Sequence, residues 1–489
     1  MRSTTVTVAT PATSANAYDF IVVANRLPVD RKIGADGEPV WQRSPGGLVT
    51  ALAPVMENND GAWVGWHGAP DETVEPFDQG NMHLVPVPLS AEDVEMYYEG
   101  FSNATLWPLY HDVIVPPEYH RTWWDRYERV NRRFAEAVSE IAAPNAVVWV
   151  QDYQLQLVPA MLRSARPDVK IGFFNHIPFP PYEIFAQLPW RARILDGLLG
   201  ADLVGFQRQS DANNFLRSIR RLRGHIVRGS AVHVHDDAGT PTHISRAEAH
   251  PISIDTQRII DLAKSPEVQE RAKQIRSELG NPDTVLLGVD RLDYTKGIAH
   301  RIKAFGELLD DGRLSVGQAC LVQVASPSRE RVGSYLNLRE EVEGLVGRIN
   351  GEHDTLSHTA IRYLHHSYPV EEMVAMYMVA DVILVTALRD GMNLVAKEYV
   401  ASQDDQVGVL VLSEFTGAAD QLRHAIQVNP HDIDGLKDAI VQAVEMPEAE
   451  AKRRMRIMRR HILSQDVTRW SETFLRSLSN EEIEVGAEK

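Results

Sequence analysis

The sequence predicts an α/β protein of two Rossmann-like, doubly wound domains facing a central cleft. Three observations predict it. Short, continuous apolar runs alternate with amphipathic stretches along most of the chain, the pattern of parallel strands covered on both faces by helices. The series occurs twice, before and after His250-Pro-Ile-Ser-Ile-Asp255, with no long linker between them. A chain of 489 residues, 44% of them hydrophobic, can bury two such cores without covalent staples.

The elements follow in order. Residues 1–17 are rich in Ser, Thr and Ala with one Arg and no apolar segment, so they read as a disordered tail and not a signal peptide. In the first half, strands are expected at 20–24, 62–66, 84–88, 147–150, 171–174 and 203–206, with helices at 48–57, 123–141 and 155–163. Residues 223–250 are polar and His-containing, a hairpin or loop excursion. A second series of strands falls at 285–289, 319–324, 361–364, 382–385 and 407–412. Residues 448–477 read as one or two helices. The domains are therefore expected at 18–254 and 255–466, with the stretch 467–489 packing back on the first.

Charge and cysteine content exclude several classes of function. The net charge of −17 repels nucleic acid and anionic lipid, so phosphate binding has to come from local cations. The single cysteine, Cys320, lies in an apolar run, which rules out an internal disulfide framework and suits a reducing compartment. The longest apolar runs are strand-sized and too short to span a bilayer. A cytoplasmic protein, with neither nucleic acid nor membrane as partner, is expected.

In doubly wound sheets ligands bind beyond the carboxyl ends of the strands, and two segments there carry chemistry. Val289-Asp-Arg291-Leu-Asp-Tyr-Thr-Lys296-Gly297 sets two cations at the start of an expected helix, an arrangement suited to a diphosphate. The alternative is a surface ion pair of Arg291 or Lys296 with Asp290 or Asp293. In Leu388-Arg-Asp390-Gly-Met-Asn-Leu394-Val395-Ala-Lys-Glu398, Gly391 permits close backbone approach. Free N–H groups at a helix start there suit phosphate or sugar oxygens. Helix capping by Asp390, with Lys397 and Glu398 as solvated charges, is the alternative. Asp152 and His176 each follow an apolar strand, with N-capping the competing role for Asp152. Trp107 suits either a sugar face or the core.

Taken together, Asp390-Gly-Met-Asn-Leu-Val-Ala-Lys-Glu398-Tyr and Arg291-Leu-Asp-Tyr-Thr-Lys-Gly297 closely resemble the trehalose-6-phosphate synthases. These are retaining glycosyltransferases of family 20 with the GT-B fold. Further matching segments are Ala24-Asn25-Arg26-Leu27, Pro45-Gly46-Gly47-Leu48, Gly65-Trp66-His-Gly68, Phe101-Ser-Asn-Ala-Thr-Leu-Trp107-Pro, Gln151-Asp152-Tyr153 and Phe173-Phe-Asn-His176-Ile-Pro-Phe-Pro. The resemblance implies that Arg291 and Lys296 hold the donor diphosphate. Leu394 and Val395 would offer backbone contacts, Glu398 the ribose contact and Tyr368 a backbone contact to the base. Gly46 and Gly47 would close over the donor. It places Asp152, His176 and Asp390 around the reacting sugars, and Arg26, Trp66, Tyr98, Trp107 and Arg329 in a glucose 6-phosphate pocket.

The implied reaction transfers glucose with retention from UDP-, ADP- or GDP-glucose to C1 of glucose 6-phosphate. It needs no cofactor and no metal, because Arg291 and Lys296 replace the cation. The one Asp-x-Asp pair, Asp432-Ile-Asp434, is accounted for by helix capping. The histidines 225, 233, 235 and 243 match no common zinc spacing. Two other readings stay open: a related enzyme using another phosphorylated acceptor such as glycerol 3-phosphate, and a non-catalytic sugar-phosphate sensor. The partners are the two sugar substrates, and a homo-oligomer, dimer or tetramer, is admitted beside the monomer. Arg329, as a cleft arginine awaiting phosphate, is expected to add little to stability.

Overall fold

The computed structural model describes residues 17–33, 39–44, 49, 52, 56, 61–236, 238–403 and 407–479. The expected tail at 1–17, apart from residue 17, and most of the expected helix at 48–57 lie outside them.

The first half folds around one ten-stranded sheet. Its strands are β1 (Tyr18–Arg26), β4 (Ala62–Trp66), β5 (Phe77–Gln79), β6 (Met82–Pro86), β7 (Ala142–Gln151), β8 (Lys170–Asn175), β9 (Leu203–Phe206), β10 (Ile226–Arg228), β11 (Ala231–His235) and β12 (Pro241–Ala249). The hairpin β2 (Val29–Ile33) and β3 (Pro39–Arg43) stands apart. The spatial order is β10-β11-β12-β9-β8-β7-β1-β4-β6-β5, parallel from β12 to β6. Every residue of β4 and β9 is buried, as expected of parallel strands covered on both faces. The polar stretch at 223–250, expected as a hairpin or loop excursion, forms antiparallel hairpins and extends the sheet: β12 pairs parallel with β9, and β11 and β10 follow antiparallel.

The second sheet is wholly parallel in the order β15-β14-β13-β16-β17-β18. Its strands are β13 (Thr284–Arg291), β14 (Ala319–Ser326), β15 (Ile361–Leu364), β16 (Val382–Val385), β17 (Val409–Ser413) and β18 (Ile426–Val428). Strand order reverses beside β1 and β7 in the first sheet and beside β13 and β16 in the second. Such switch points open a crevice at the strands' carboxyl ends.

The chain crosses between the halves twice. The last two helices, Glu448–Ser464 and Val467–Ser479, belong to the second crossing. Phe474 of the latter stacks on Trp149 of β7, with ring centroids 4.5 Å apart. Alternate carbonyls of the first crossing accept hydrogen bonds from two different helices: His250 from Trp470 Nε1 (3.0 Å), Ile252 from Lys397 Nζ (2.6 Å) and Ile254 from Val467 N (3.0 Å). The Ile252 N–H donates to the Gln207 side chain after β9 (2.9 Å), so this one residue is tied to both halves.

Candidate active site

Of the residues named from sequence, Arg26 and Asp152 lie at the first switch point and Arg291, Lys296 and Asp390 at the second. On the first sheet, Arg26 ends β1 with its guanidinium over Trp66 (5.2 Å) and 3.2 Å from Asp30. Asp152 follows β7 in a left-handed conformation (φ 73°) that a non-glycine residue adopts only when its surroundings impose it. Its carboxylate accepts the His176 N–H (3.1 Å) instead of capping the next helix, so the capping alternative falls away. Burial pushes the Asp152 carboxyl up to about 6, and it pushes the His176 imidazole down to about 3. His176 is thereby neutral, and its Nε2–H meets the Gln151 side-chain oxygen (2.9 Å).

On the second sheet, Arg291 ends β13 with its side chain exposed and its guanidinium 5.4 Å from the Trp107 ring centre. Lys296 does not form the surface pair weighed above. Its Nζ, nearly buried, reaches across to Asp390 in the loop after β16 (2.5 Å). Burial would raise the Asp390 carboxyl, but Lys296 overrides it and holds it below its ordinary value. Asn393, not Asp390, caps the helix Leu394–Ser402. Leu394 and Val395 form the first turn of that helix. Glu398, one turn on, accepts the Tyr377 hydroxyl (2.8 Å), and burial raises its carboxyl. Lys397 is buried, not solvated. Gly391 lacks a side chain for a reason: a Cβ there would run into the His176 carbonyl of the opposite half.

Arg329 departs from the expectation of a free cleft arginine. It is 5% exposed and donates to the Tyr153 hydroxyl of the first half (3.0 Å) and to the Tyr335 hydroxyl. Its guanidinium also lies 3.4 Å from Asp293 and 3.8 Å from the Trp107 ring centre. Burial would raise the Asp293 carboxyl, yet Arg329, Arg291 and Lys296 hold it down at about 2. Trp107 is 5% exposed and its indole N–H has no hydrogen-bond partner among the described residues. It directly follows a thirteen-residue π-helix, Val94–Leu106, which also carries the half-buried Tyr98. π-helical geometry is rare and concentrates at functional sites.

Tyr368 stands in the loop after β15, its ring 4.2 Å from that of His366. Gly46 and Gly47 lie outside the described residues. Among the described residues, the one His/acidic group close enough to share an ion is Asp310, Glu352 and His353. It sits at the far ends of two helices, Ile298–Asp310 and Gly333–His353. Asp432 caps the helix Ile433–Val444 through Gly435 N (2.9 Å).

Sequence reasoning missed several residues that complete the arrangement. Tyr153 and Asp293 lie inside segments already singled out, and their proximity to Asp152 and Arg291 was the available signal. Tyr335 lies buried in the first turn of the helix Gly333–His353, with no local signature in the sequence. His111 is buried with Nδ1 on the Trp107 carbonyl (2.8 Å), and burial pushes it down to about 3.

Chemically, the cleft offers cations from one sheet facing a carboxylate and neutral imidazole from the other, with an aromatic floor. That suits an anionic, sugar-bearing ligand pair. Residues 18–480 match the model of Glycosyltransferase family 20. The trehalose-6-phosphate synthase of Mycobacterium avium (strain 104) is 58% identical over 468 residues, 94% of this chain and 95% of that protein. An E. coli structure bound with UDP-2-fluoro glucose superposes with a TM-score of 0.85 at 34% identity, covering 95% of this chain and 99% of that one. The alpha,alpha-trehalose-phosphate synthase (UDP-forming) of Burkholderia xenovorans in complex with glucose-6-phosphate gives the same TM-score and identity, covering 94% and 99%.

Proposed function

We infer the reaction from one premise: the chain belongs to glycosyltransferase family 20 and has the GT-B fold. Its activity is that of a trehalose-6-phosphate synthase. The donor is a nucleotide-glucose (UDP-, ADP- or GDP-glucose), the acceptor is glucose 6-phosphate, and transfer to its C1 retains the anomeric configuration.

The observation that carries this reading is the Lys296–Asp390 pair at the second switch point, with Arg291 and Arg329 stacked on Trp107 beside it. A donor diphosphate competes for Lys296 Nζ, and Asp390, released from that partner, accepts a hydroxyl of the donor sugar. Charge developing on the departing diphosphate meets Arg291, Lys296 and the free N–H groups at Leu394 and Val395. Glu398 takes the ribose, and the backbone at Tyr368 and the loop at Gly46 and Gly47 complete the donor side. On the acceptor side, Arg26, Tyr98 and Arg329 take the phosphate, while Trp66 and Trp107 supply aromatic faces. Asp152 and His176 orient the sugars between them. The leaving phosphate oxygen removes the acceptor proton, so no side chain serves as nucleophile. Residues 18–254 form the acceptor domain and 255–466 the nucleotide-sugar domain. The setting is the cytoplasm; among the described residues no helix is long and apolar enough to cross a membrane.

The test is a matrix of the three nucleotide-glucoses against glucose 6-phosphate and glycerol 3-phosphate. Nucleoside diphosphate release is followed, and the linkage is read by NMR. Release with glucose 6-phosphate and an α,α-linked product is expected. An inverted linkage, or release with glycerol 3-phosphate alone, overturns the reading.

A further inference from the structure

Arg389, the residue before Asp390, has no part in the reaction as drawn, yet its side chain is largely buried against carboxylates of the other half. The backbone around it is fixed within the second half. Leu388 N donates to the Thr295 carbonyl (2.7 Å), and Asp390 N to that of Phe415 (3.2 Å). Its side chain instead leaves that half and ends between two carboxylates of the other, 14% exposed. Nε stands 3.3 Å from Asp112 and a terminal nitrogen 3.6 Å from Asp211.

Both acids are unusual. Asp211, in the first turn of the helix Gln209–Leu222, is fully buried, and neither of its oxygens has a hydrogen-bond partner of good geometry among the described residues. A buried carboxylate left so is costly unless a cation compensates it. The cations beside it are Arg389 and Arg208, and burial still pushes its carboxyl up to about 6. Asp112 and the next residue, Val113, both take left-handed backbone angles (φ 57° and 58°), although neither is glycine. Consecutive strained residues persist only where the surroundings over-determine them, and here the strain aims Asp112 at Arg389. The same turn begins with His111, whose ring is 4.2 Å from that of Trp107. One short segment thus touches the aromatic floor at one end and the donor loop at the other.

A second cross-link braces the same place. Arg208, three residues before Asp211, makes a bidentate pair with Asp420 (2.7 and 2.8 Å). Asp420 lies in the helix Gly417–Gln421, which follows Thr416, the bridge partner of Asp390. The donor loop is therefore gripped from the first half on both sides.

We propose that Arg389 is a positioning residue, clamped by Asp112 and Asp211 from across the cleft so that Asp390 is held in register with the opposite half during transfer. This rests on the function proposed above, since it gives Asp390 the donor sugar. Arg389 touches no substrate. Its loss lowers turnover while leaving ground-state affinities in place, because Arg291, Lys296 and Glu398 keep the nucleotide and Arg329 keeps the acceptor.

The test compares Arg389→Met, Arg389→Lys, Asp211→Asn and the Arg389→Met/Asp211→Asn pair, with kcat per active site counted by nucleoside diphosphate titration. Arg389→Met is expected to lose at least about tenfold in kcat, while the glucose 6-phosphate KM and the nucleoside diphosphate Kd stay within about threefold. Arg389→Lys recovers most of the turnover, and the double variant is no worse than Arg389→Met. A double-mutant cycle on urea midpoints provides a readout independent of activity and should show coupling between the two sites. If Asp211→Asn fails to fold, the partly exposed Asp112→Asn replaces it in the cycle. Turnover within twofold of wild type in Arg389→Met, equal loss in Arg389→Lys, or additive urea effects each overturn the proposal. A wild type that transfers no glucose refutes the functional reading instead, and the cycle then still decides whether the clamp exists.

Discussion

Replacing Arg329 by methionine separates two roles that the side chain combines. One is structural. Its guanidinium compensates Asp293, which is fully buried and stays ionised because Arg329, together with Arg291, Lys296 and the Thr295 N–H, outweighs the effect of burial. Removing one member of a buried ion pair costs about 3–5 kcal/mol, since the other charge is left uncompensated. Asp293 keeps three hydrogen bonds, from Thr295 N (3.0 Å), Thr295 Oγ1 (2.8 Å) and the Tyr335 hydroxyl (3.0 Å), so the lower end, about 3 kcal/mol, is expected. The other role, which rests on the proposed function, is acceptor binding, where losing a charged contact costs about 1.5–3 kcal/mol, roughly ten- to a hundredfold in KM for glucose 6-phosphate. The assay is urea unfolding and steady-state kinetics on Arg329→Met and on Asp293→Asn/Arg329→Met. The double variant removes the stranded charge, so it should regain most of the stability while its acceptor KM stays high. A single variant as stable as wild type, or a double variant with restored KM, would refute this assignment of roles.

Other perturbations have equally definite outcomes. Lys296→Ala should cut turnover about a hundred- to a thousandfold and weaken nucleoside diphosphate binding by calorimetry, one transition-state charge contact being worth roughly 2.7–4 kcal/mol; near-normal kinetics would return the residue to a structural pair with Asp390. Protein treated with EDTA should keep most of its activity, and a complete loss restored only by magnesium or manganese would overturn the metal-free mechanism. Burial pushes the Lys397 amine down to about 7 from its ordinary 10.5. Between these values the unfolded chain holds a proton that the folded chain has released, so stability rises with pH across this window and is flat in this respect outside it. The stability of wild type relative to Lys397→Met should therefore grow by on the order of 3 kcal/mol from pH 7 to pH 10, and a constant difference in urea midpoints would show that the amine is charged throughout.

How much was legible in the sequence depended on whether the signal was local. Strands buried on both faces announce themselves as unbroken apolar runs, so 62–66, 203–206 and 382–385 agree with the structure to the residue, as does the partly exposed edge strand 361–364. The place of β10–β12 in the sheet escaped because their faces are partly wet: Ile226 and Ile244 are each 52% exposed, and polar residues interrupt the apolar ones. The π-helix was invisible for another reason, since its hydrogen-bond register is set by what packs around it and leaves no distinct periodicity. At the site, motif position identified Lys296 and Asp390 separately, but not that one neutralises the other across 94 residues. Arg329 shows the same limit more sharply. Its place after β14 pointed to a phosphate, while its grip on Asp293, Tyr153 and Tyr335 arises only once both sheets are assembled.

That contrast bears on how the cleft works. Each carboxylate that faces it is held by a group from elsewhere: Asp152 by the His176 backbone, Asp390 by Lys296, Asp293 by Arg329, Asp211 by Arg389. A buried carboxylate without such a partner would take up a proton and lose its value as an acceptor for sugar hydroxyls. The cations therefore serve the fold before they serve the substrate. On the function proposed above, an incoming diphosphate or sugar phosphate displaces the existing partners of Lys296 and Arg329, so part of its binding energy goes into exchanging ion pairs. Of these exchanges, the one at Lys296 with Asp390 lies within the second half, whereas the one at Arg329 with Tyr153 lies between the halves. On the proposed function, acceptor binding and the relative setting of the two halves are thus coupled through Arg329.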